Sequence, residues 1–415
     1  MGTTSEGRLL SLDALRGFVV LVMIFVNDVA SVAGLPWWMY HIPPGASGLT
    51  FVDVVYPAFL FMVGTAIPLA LERRQREGMS AGALARHVAV RGVALSVIGL
   101  LQMNGRELDP VASGVPYALW NAAVLSAMIL AWTQDRRRDD PTNRRIDDPS
   151  GDASSDPADS QSEVRRARLL RILRLVSIVV LVVLVALYRS RHGGWLHFRN
   201  RGILGSIGAA YVVAAGLHAW TRRTWAGAIA AFVGLVLWNV GTRVGVTPLP
   251  IVGNGAAASV VMAGVLACRW LQSAPPAPPA QAVAVARRLM ALGGFAAAMT
   301  LAALALAPRF HVAKIGATPS WCLYSAAITT VLLIFFYMAI DFRGWIAWAR
   351  PLLPAGRNAL VVYLLPDIFY AIFGVKWLDA WLGHGGLGVL RAAAFTAAMM
   401  AWGALLTRHR IRMQV

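Results

Sequence analysis

The chain has 415 residues, 58% of them hydrophobic and 14% charged, with a formal net charge of +18. Water-soluble proteins average roughly 25% charged residues, so this chain cannot cover a surface of its size with ions, and the soluble class is excluded. The excess of positive charge is arginine, with Lys314 and Lys376 the only lysines. Those arginines gather at the ends of apolar runs, a placement that reads as membrane topology and lipid headgroups rather than nucleic acid.

Apolar windows of about 20 residues recur, the length that crosses a bilayer core. The fold class expected is therefore all-α, a polytopic transmembrane helical bundle of about 12 spans forming a single domain over residues 1–415. In chain order the expected spans are 13–33, 50–71, 83–103, 112–133, 168–188, 201–220, 223–243, 250–270, 287–307, 320–340, 358–375 and 387–407. The first is too long for a cleavable signal peptide. Residues 134–168, rich in Asp, Ser, Pro and Arg, read as a disordered cytoplasmic loop. Residues 271–286 read as a Pro/Ala-rich cytoplasmic linker. Arg73, Arg74, Arg76, Arg136 to Arg138, Arg222, Arg223, Arg287, Arg288 and the tail from Arg408 to Arg412 fall on one side. The positive-inside rule makes that side, with both termini, cytoplasmic. Arg189, Arg191, Arg199 and Arg201 stand against this, in a loop that the alternation puts outside. Cys268 and Cys322 have neither metal spacing nor a disulfide framework around them, and no metal site is expected.

The informative polar groups lie in the first hairpin. Asp13 opens the first span, and Asn27 follows 14 residues later, about 21 Å along a helix axis. Asn27 and Asp28 therefore approach the outer loop that carries His41, and Asp53 begins the returning helix at the same level. Ionisable groups in such apolar surroundings are costly and usually functional. A histidine is the common general base near neutral pH, and a carboxylate or amide can fix its tautomer. Structural readings stand beside this one. His41 can be plain surface polarity, Asp13 and Arg16 can pair and cap a helix, and Asp53 can do the same. Pro57 and Pro68 are expected to kink or loosen the second span. A second polar stretch runs from His311 to Ser325; in it Lys314 either snorkels or faces a site, and Trp321 and Tyr324 suit an interfacial belt. In the third, Asn358 suits a cap or a cross-link between helices, and Asp367 sits inside an apolar span.

Ser11-Leu-Asp-Ala-Leu-Arg-Gly17, Phe25-Val-Asn27, the His41 loop and Thr50-Phe-Val-Asp53-Val-Val-Tyr-Pro57 resemble the opening of the heparan-α-glucosaminide N-acetyltransferase family, a branch of the transmembrane acyltransferases. Weaker matches follow in order at Arg201–Gly205, Lys314–Trp321, Asp341–Gly344 and Gly356–Tyr363. The resemblance implies acetyl-CoA used from the cytoplasmic side and an acetyl group delivered to a sugar amine on the far side. It implies that His41 is catalytic, with Asn27 its neighbour. Asp53, Asp28, Lys314, Trp321 and Asn358 become candidates for binding the acceptor, and Asp13, Arg16 and Arg91 for the CoA side. Against the animal lysosomal enzyme the departures expected are a longer His41 loop without its tryptophan, no N-terminal luminal domain, and two extra spans between Gly208 and Pro308.

The function expected is an integral membrane acyltransferase of the bacterial cytoplasmic membrane. It moves acetyl from acetyl-CoA to an amine or hydroxyl of a sugar or glycan; its other partner is the lipid bilayer, and a homodimer is compatible with the reading. The alternative is a secondary transporter of a small polar or anionic solute, since a bundle with buried charges suits a carrier equally well on hydropathy.

Overall fold

The computed structural model describes residues 9–133, 157–198, 202–272, 281–374, 382–409 and 411–413. Among them the elements are α1 (Leu10–Val29), α2 (Phe51–Arg76), α3 (Ala81–Gly105), the short α4 (Pro110–Ser113), α5 (Tyr117–Ala131), α6 (Pro157–Leu187), α7 (Gly202–Thr221) and α8 (Trp225–Arg243). Then come α9 (Ala256–Gln272), α10 (Gln281–Phe310), α11 (Pro319–Phe336), α12 (Leu353–Arg357), α13 (Ala359–Phe373) and α14 (Gly385–Arg408). Each expected window holds a helix. Nine helices among the described residues are long and apolar enough to cross a membrane, or up to ten if the bent pair at Asn358 is one span. The helices α5 and α9 are shorter and apolar. The protein is an all-α polytopic membrane bundle.

The central element is α9, whose residues from Val260 to Cys268 are buried on every side. It packs on α2 through two glycines. A Cβ on Gly64 would overlap the Val261 carbonyl, and one on Gly264 would overlap the Phe61 carbonyl. Small residues thus let the two backbones touch, which is how helices associate where lipid offers no hydrophobic gain. Gly17 and Gly356 bring α1 and α12 together in the same way. Only 11% of the apolar window of α6 is buried, against 72% for α2. An apolar helix with that much surface turned outward faces hydrocarbon.

Three expectations change in detail. The 134–168 loop is shorter than composition implied, because α6 begins at Pro157; the run from Ser162 to Leu173 is dominated by Arg, Leu, Ala and Glu, all good helix formers. Residues 134–156 lie outside the described residues, as do 273–280 of the 271–286 linker. The eighth span starts at Ala256 rather than 250, after a turn through Gly253 and Gly255, both in the left-handed region. The eleventh span, Ala359–Phe373, is preceded by a helical segment that was not expected, Ala347–Arg357, which meets it at 79° across Asn358.

Pro57 and Pro68 lie inside a continuous α2. A proline withholds its N–H from the carbonyl four residues back, and Pro57 so frees the Asp53 carbonyl. The Trp321 indole supplies the missing donor at 3.2 Å. Trp321 is buried in the bundle by this role rather than standing in an interfacial belt. The start of α1 has no side-chain cap of its own. Asp341, on the π-helical turn Tyr337–Phe342, accepts the Leu10 and Ser11 N–H groups at 3.1 and 3.2 Å and supplies one from across the bundle. A carboxylate there also suits the positive end of the helix dipole.

Of the arginines that disagreed with the topology, Arg189 and Arg191 have local partners, and Arg199 and Arg201 lie outside the described residues. Arg191 donates to the Leu108 carbonyl at 3.0 Å, and Arg189 to the Ala186 and Tyr188 carbonyls at 3.0 and 2.6 Å. Arg189 thus serves the carbonyl end of α6, the end of a helix that favours cations, and Arg191 ties this loop to the one after α3.

Candidate active site

The loop from Tyr40 to Thr50 and the first turn of α2 form the floor of the site. Asp53 is buried, with its side chain 1% exposed, whereas the His41 side chain is 43% exposed. The two carboxylate oxygens of Asp53 divide their work. Oδ2 accepts the backbone N–H groups of Ile42 and Thr50, each at 3.3 Å, and the Thr50 hydroxyl at 3.1 Å. The bond from Thr50 N–H is the returning half of a capping box, so Asp53 is also a helix-start residue. Oδ1 stands 2.7 Å from His41 Nδ1. That short contact puts a proton on Nδ1, because a carboxylate only accepts, and it leaves the Nε2 lone pair for chemistry on the exposed edge of the ring.

Lys314 arrives from the other third of the chain. Its Nζ lies 3.1 Å from His41 Nε2 and 3.3 Å from Nδ1. Near-equal distances to both nitrogens put the ammonium across the ring rather than in line with either lone pair. Burial pulls the Lys314 ammonium below the ordinary lysine range, and the Asp53 charge opposes that shift without cancelling it. The loop that presents Lys314 is strained. His311 and Ala317 have φ of 54° and 52°, unusual for residues with a Cβ. Strain of this kind persists where surrounding bonds over-determine it. Here the Ser320 hydroxyl donates to the His311 carbonyl, and Ala313 N–H donates to Thr318 Oγ1 at 3.1 Å. The two loops are joined directly, by Gly48 N–H to the Val312 carbonyl at 2.9 Å and Val312 N–H to Ser47 Oγ at 3.0 Å.

The structure thus brings together His41, Asp53 and Lys314, with Trp321 directly beneath them. Asn27 is exposed near the end of α1, and its side chain makes no hydrogen bond among the described residues. Asp28 belongs to a neighbouring buried group, where it meets Arg391 of α14 at 3.3 Å and accepts from the Tyr370 hydroxyl of α13. Tyr370 also lines a cavity of about 90 Å3 with Gln102, Arg106, Tyr117, Asn121 and Asp367, and there the Gln102 amide donates to Asp367. Sequence reasoning passed over Arg391, although a lone arginine within an apolar span was a usable signal. Tyr370 carried no such signal.

The remaining candidates lie at the far end of α1. Asp13 pairs with Arg16 at 3.5 Å and Arg357 at 3.8 Å, and Arg16 donates to the Gly356 carbonyl at 3.2 Å. Asn358 is in that region, donating to Thr407 Oγ1 at 3.1 Å and to the Ile411 carbonyl at 2.8 Å. It secures the C-terminal segment and is separated from the acceptor candidates around His41. Arg91, half-buried on α3, lies over the Tyr211 ring at 4.9 Å. Among the described residues no three His, Cys, Asp or Glu side chains stand together as a metal site.

The class defined here is a polytopic membrane bundle carrying an exposed imidazole, a buried carboxylate and an ammonium at one mouth. Residues 8–132, which include Asn27, His41 and Asp53, match the family described as "Domain of unknown function (DUF5009)". The chain is similar to human heparan-alpha-glucosaminide N-acetyltransferase, at 34% identity over 97 residues, 23% of this chain and 14% of that protein. The mouse protein of the same name matches at 33% over 101 residues, 24% of this chain and 15% of that protein. The chain therefore spans about one seventh of the length of these relatives. Over that part of its length it resembles the heparan-alpha-glucosaminide N-acetyltransferase-like family.

Proposed function

We propose that this protein is a membrane acetyltransferase of the bacterial cytoplasmic membrane. It moves acetyl from cytoplasmic acetyl-CoA to an amine or hydroxyl of a sugar or glycan on the outer side. The observation that carries the reading is the 2.7 Å contact between His41 and a buried carboxylate, in a chain similar over 97 residues to a named N-acetyltransferase. Asp53 holds the imidazole so that Nε2 is a proton acceptor. The acceptor nitrogen or oxygen attacks the thioester carbonyl while its proton passes to His41 Nε2. The negative charge that develops on the carbonyl oxygen is met by the Lys314 ammonium, a fixed donor in a partly desolvated site. Collapse breaks the C–S bond, and the imidazolium returns its proton to the departing thiolate. The products are the acetylated acceptor and CoA thiol.

The basic end of the bundle, with Arg16 and Arg91, suits the phosphates of CoA. Acetyl-CoA should bind the purified protein with an affinity that falls as salt rises, because screening weakens arginine–phosphate attraction. With labelled acetyl-CoA and a panel of amino sugars and envelope glycans, His41→Ala should keep its fold and CoA binding. Its transfer rate should fall about 10²–10⁴-fold, the range for loss of a general base. Asn27→Ala should cost less, since Asn27 makes no bond to His41. Full turnover by folded His41→Ala protein would remove His41 from the mechanism. An absence of acetyl-CoA binding at low salt would favour a transporter.

A further inference from the structure

We propose that the groove between α10 and α11 is a binding site for one anionic phospholipid, its phosphate seated on Arg288 and an acyl chain lying along Thr300, Ile328 and Val331. Two independent observations meet on the same helix pair. The first is Arg288. One terminal nitrogen donates to the Tyr337 hydroxyl at 3.2 Å. Nε and Nη2, the two nitrogens of its fork edge, are buried and have no hydrogen-bond partner. Leaving charged donors unpaired out of water is expensive. The fork edge matches two oxygens of a phosphate, a pairing guanidinium groups make bidentately. A headgroup that displaces the covering side chains completes it.

The second observation is an apolar groove of about 300 Å3 lined by Thr300, Tyr324, Ile328 and Val331, among others. Depth connects the two. Phe310 lies 22 residues beyond Arg288 on one continuous helix, about 33 Å at 1.5 Å per residue. A hydrocarbon core is about 30 Å thick, so Arg288 stands at headgroup level when Phe310 marks the opposite surface. Thr300 is then about 18 Å below Arg288, and Val331 about 9 Å below Tyr337. The groove lies where an acyl chain attached to that headgroup would run. The turn after Tyr337 carries an interfacial belt as well. Phe342, Trp345 and Trp348 are exposed, and Arg343 covers the Trp345 ring at 5.0 Å. Aromatic residues of this kind mark the membrane–water boundary. Among phospholipids an anionic headgroup is favoured, because a choline cation would meet Arg288 and Arg343 with like charge.

The test uses the purified full-length chain in zwitterionic detergent. Phosphatidylglycerol, phosphatidylcholine, inorganic phosphate and CoA are the probes, read by native mass spectrometry and thermal melting. Phosphatidylglycerol should be retained and raise the melting temperature, and phosphatidylcholine should do so less. Arg288→Ala should weaken retention at least about tenfold, the loss of a charge-assisted pair. Ile328→Trp, which fills the groove without touching charge, should also weaken it, and Arg288→Lys should retain part of it. Should Arg288→Ala fail to fold, the Lys and Trp variants carry the test. Equal retention of the two lipids, or undiminished phosphatidylglycerol retention in the folded variants, would overturn the proposal. Displacement of the lipid by CoA or phosphate would assign the seat to a soluble phosphate instead. A change of oligomeric state in Ile328→Trp with lipid retention unchanged would assign the groove to a second copy of the chain.

Discussion

Replacing Asp53 by Asn separates the two tasks that one side chain performs. Asparagine keeps a carbonyl oxygen that can still accept from Ile42 and Thr50, the bonds that hold the loop to the start of α2. Its other group is an NH2, which cannot accept the His41 Nδ1 proton. The ring must then turn over its tautomer and accept at Nδ1, which puts the proton on Nε2, where the acceptor needs a lone pair. The structural cost is a weakened helix start, about 1 kcal/mol. The chemical cost is the general-base contribution, about 10²–10⁴ in rate or about 3–5 kcal/mol of barrier. The assay is acetyl transfer from labelled acetyl-CoA alongside thermal melting and CoA binding. Asp53→Asn should melt close to the wild type, bind CoA normally and lose kcat. Thr50→Val, which removes a hydroxyl shared between the Tyr40 carbonyl at 2.9 Å and Asp53 Oδ2 at 3.1 Å, should mainly do the reverse, loosening the loop while leaving the carboxylate its charge and its contact with His41. Wild-type kcat in a folded Asp53→Asn protein, or a loss of rate that follows unfolding alone, would refute the division of labour.

Lys314→Met should lower kcat while leaving acetyl-CoA binding intact, as measured by calorimetry beside turnover. Because burial lowers the Lys314 pKa, its charge is present at low pH and is lost as pH rises, earlier than for an exposed lysine. Activity should accordingly decline on an alkaline limb, and Lys314→Arg should move that limb to higher pH; an unchanged limb would detach Lys314 from it. Arg391→Ala leaves the Asp28 carboxylate buried without its ion-pair partner and should destabilise by about 3–5 kcal/mol, whereas the double change Arg391→Met with Asp28→Leu should recover much of that, as read by chemical unfolding. Reporter fusions at the C-terminus should report a cytoplasmic location.

The bundle was legible because hydrocarbon imposes a length on every span, and the helices fall where the apolar windows fall. What periodicity could not give is the helix that starts early, at Pro157, because its first turns are polar and carry no apolar signal. Nor could it give the helical segment Ala347–Arg357, which meets the eleventh span at 79° just where the apolar run begins. Within the site, the proximity of His41 and Asp53 was readable from a short loop and a helix start. Lys314 could be named as a candidate, but its distance from His41 depends on how α10 and α11 pack, and local pattern holds no information about that. Trp321 shows the difference between finding a residue and finding its role. Its place in a polar stretch at the start of a span suggested an interfacial belt, while its role follows from Pro57, a position far away in the chain that leaves a carbonyl in need of a donor. Asn358 was read both as a helix cross-link and as a binding residue, and its bonds to Thr407 and Ile411 give it the first role.

The contact between His41 and Lys314 also has a history in time. The two residues are 273 positions apart, and at about 5–20 residues per second of synthesis the lysine emerges roughly 15–55 s after the histidine. During that interval α1 and α2 can insert with the imidazole and its carboxylate already paired, but with no ammonium beside them. A nascent chain arrested before α10 would thus carry a proton acceptor and lack the group that meets the developing negative charge. On the proposed mechanism the site would be completed only once the last third of the protein is in the membrane, and premature release would yield an inserted hairpin without its ammonium.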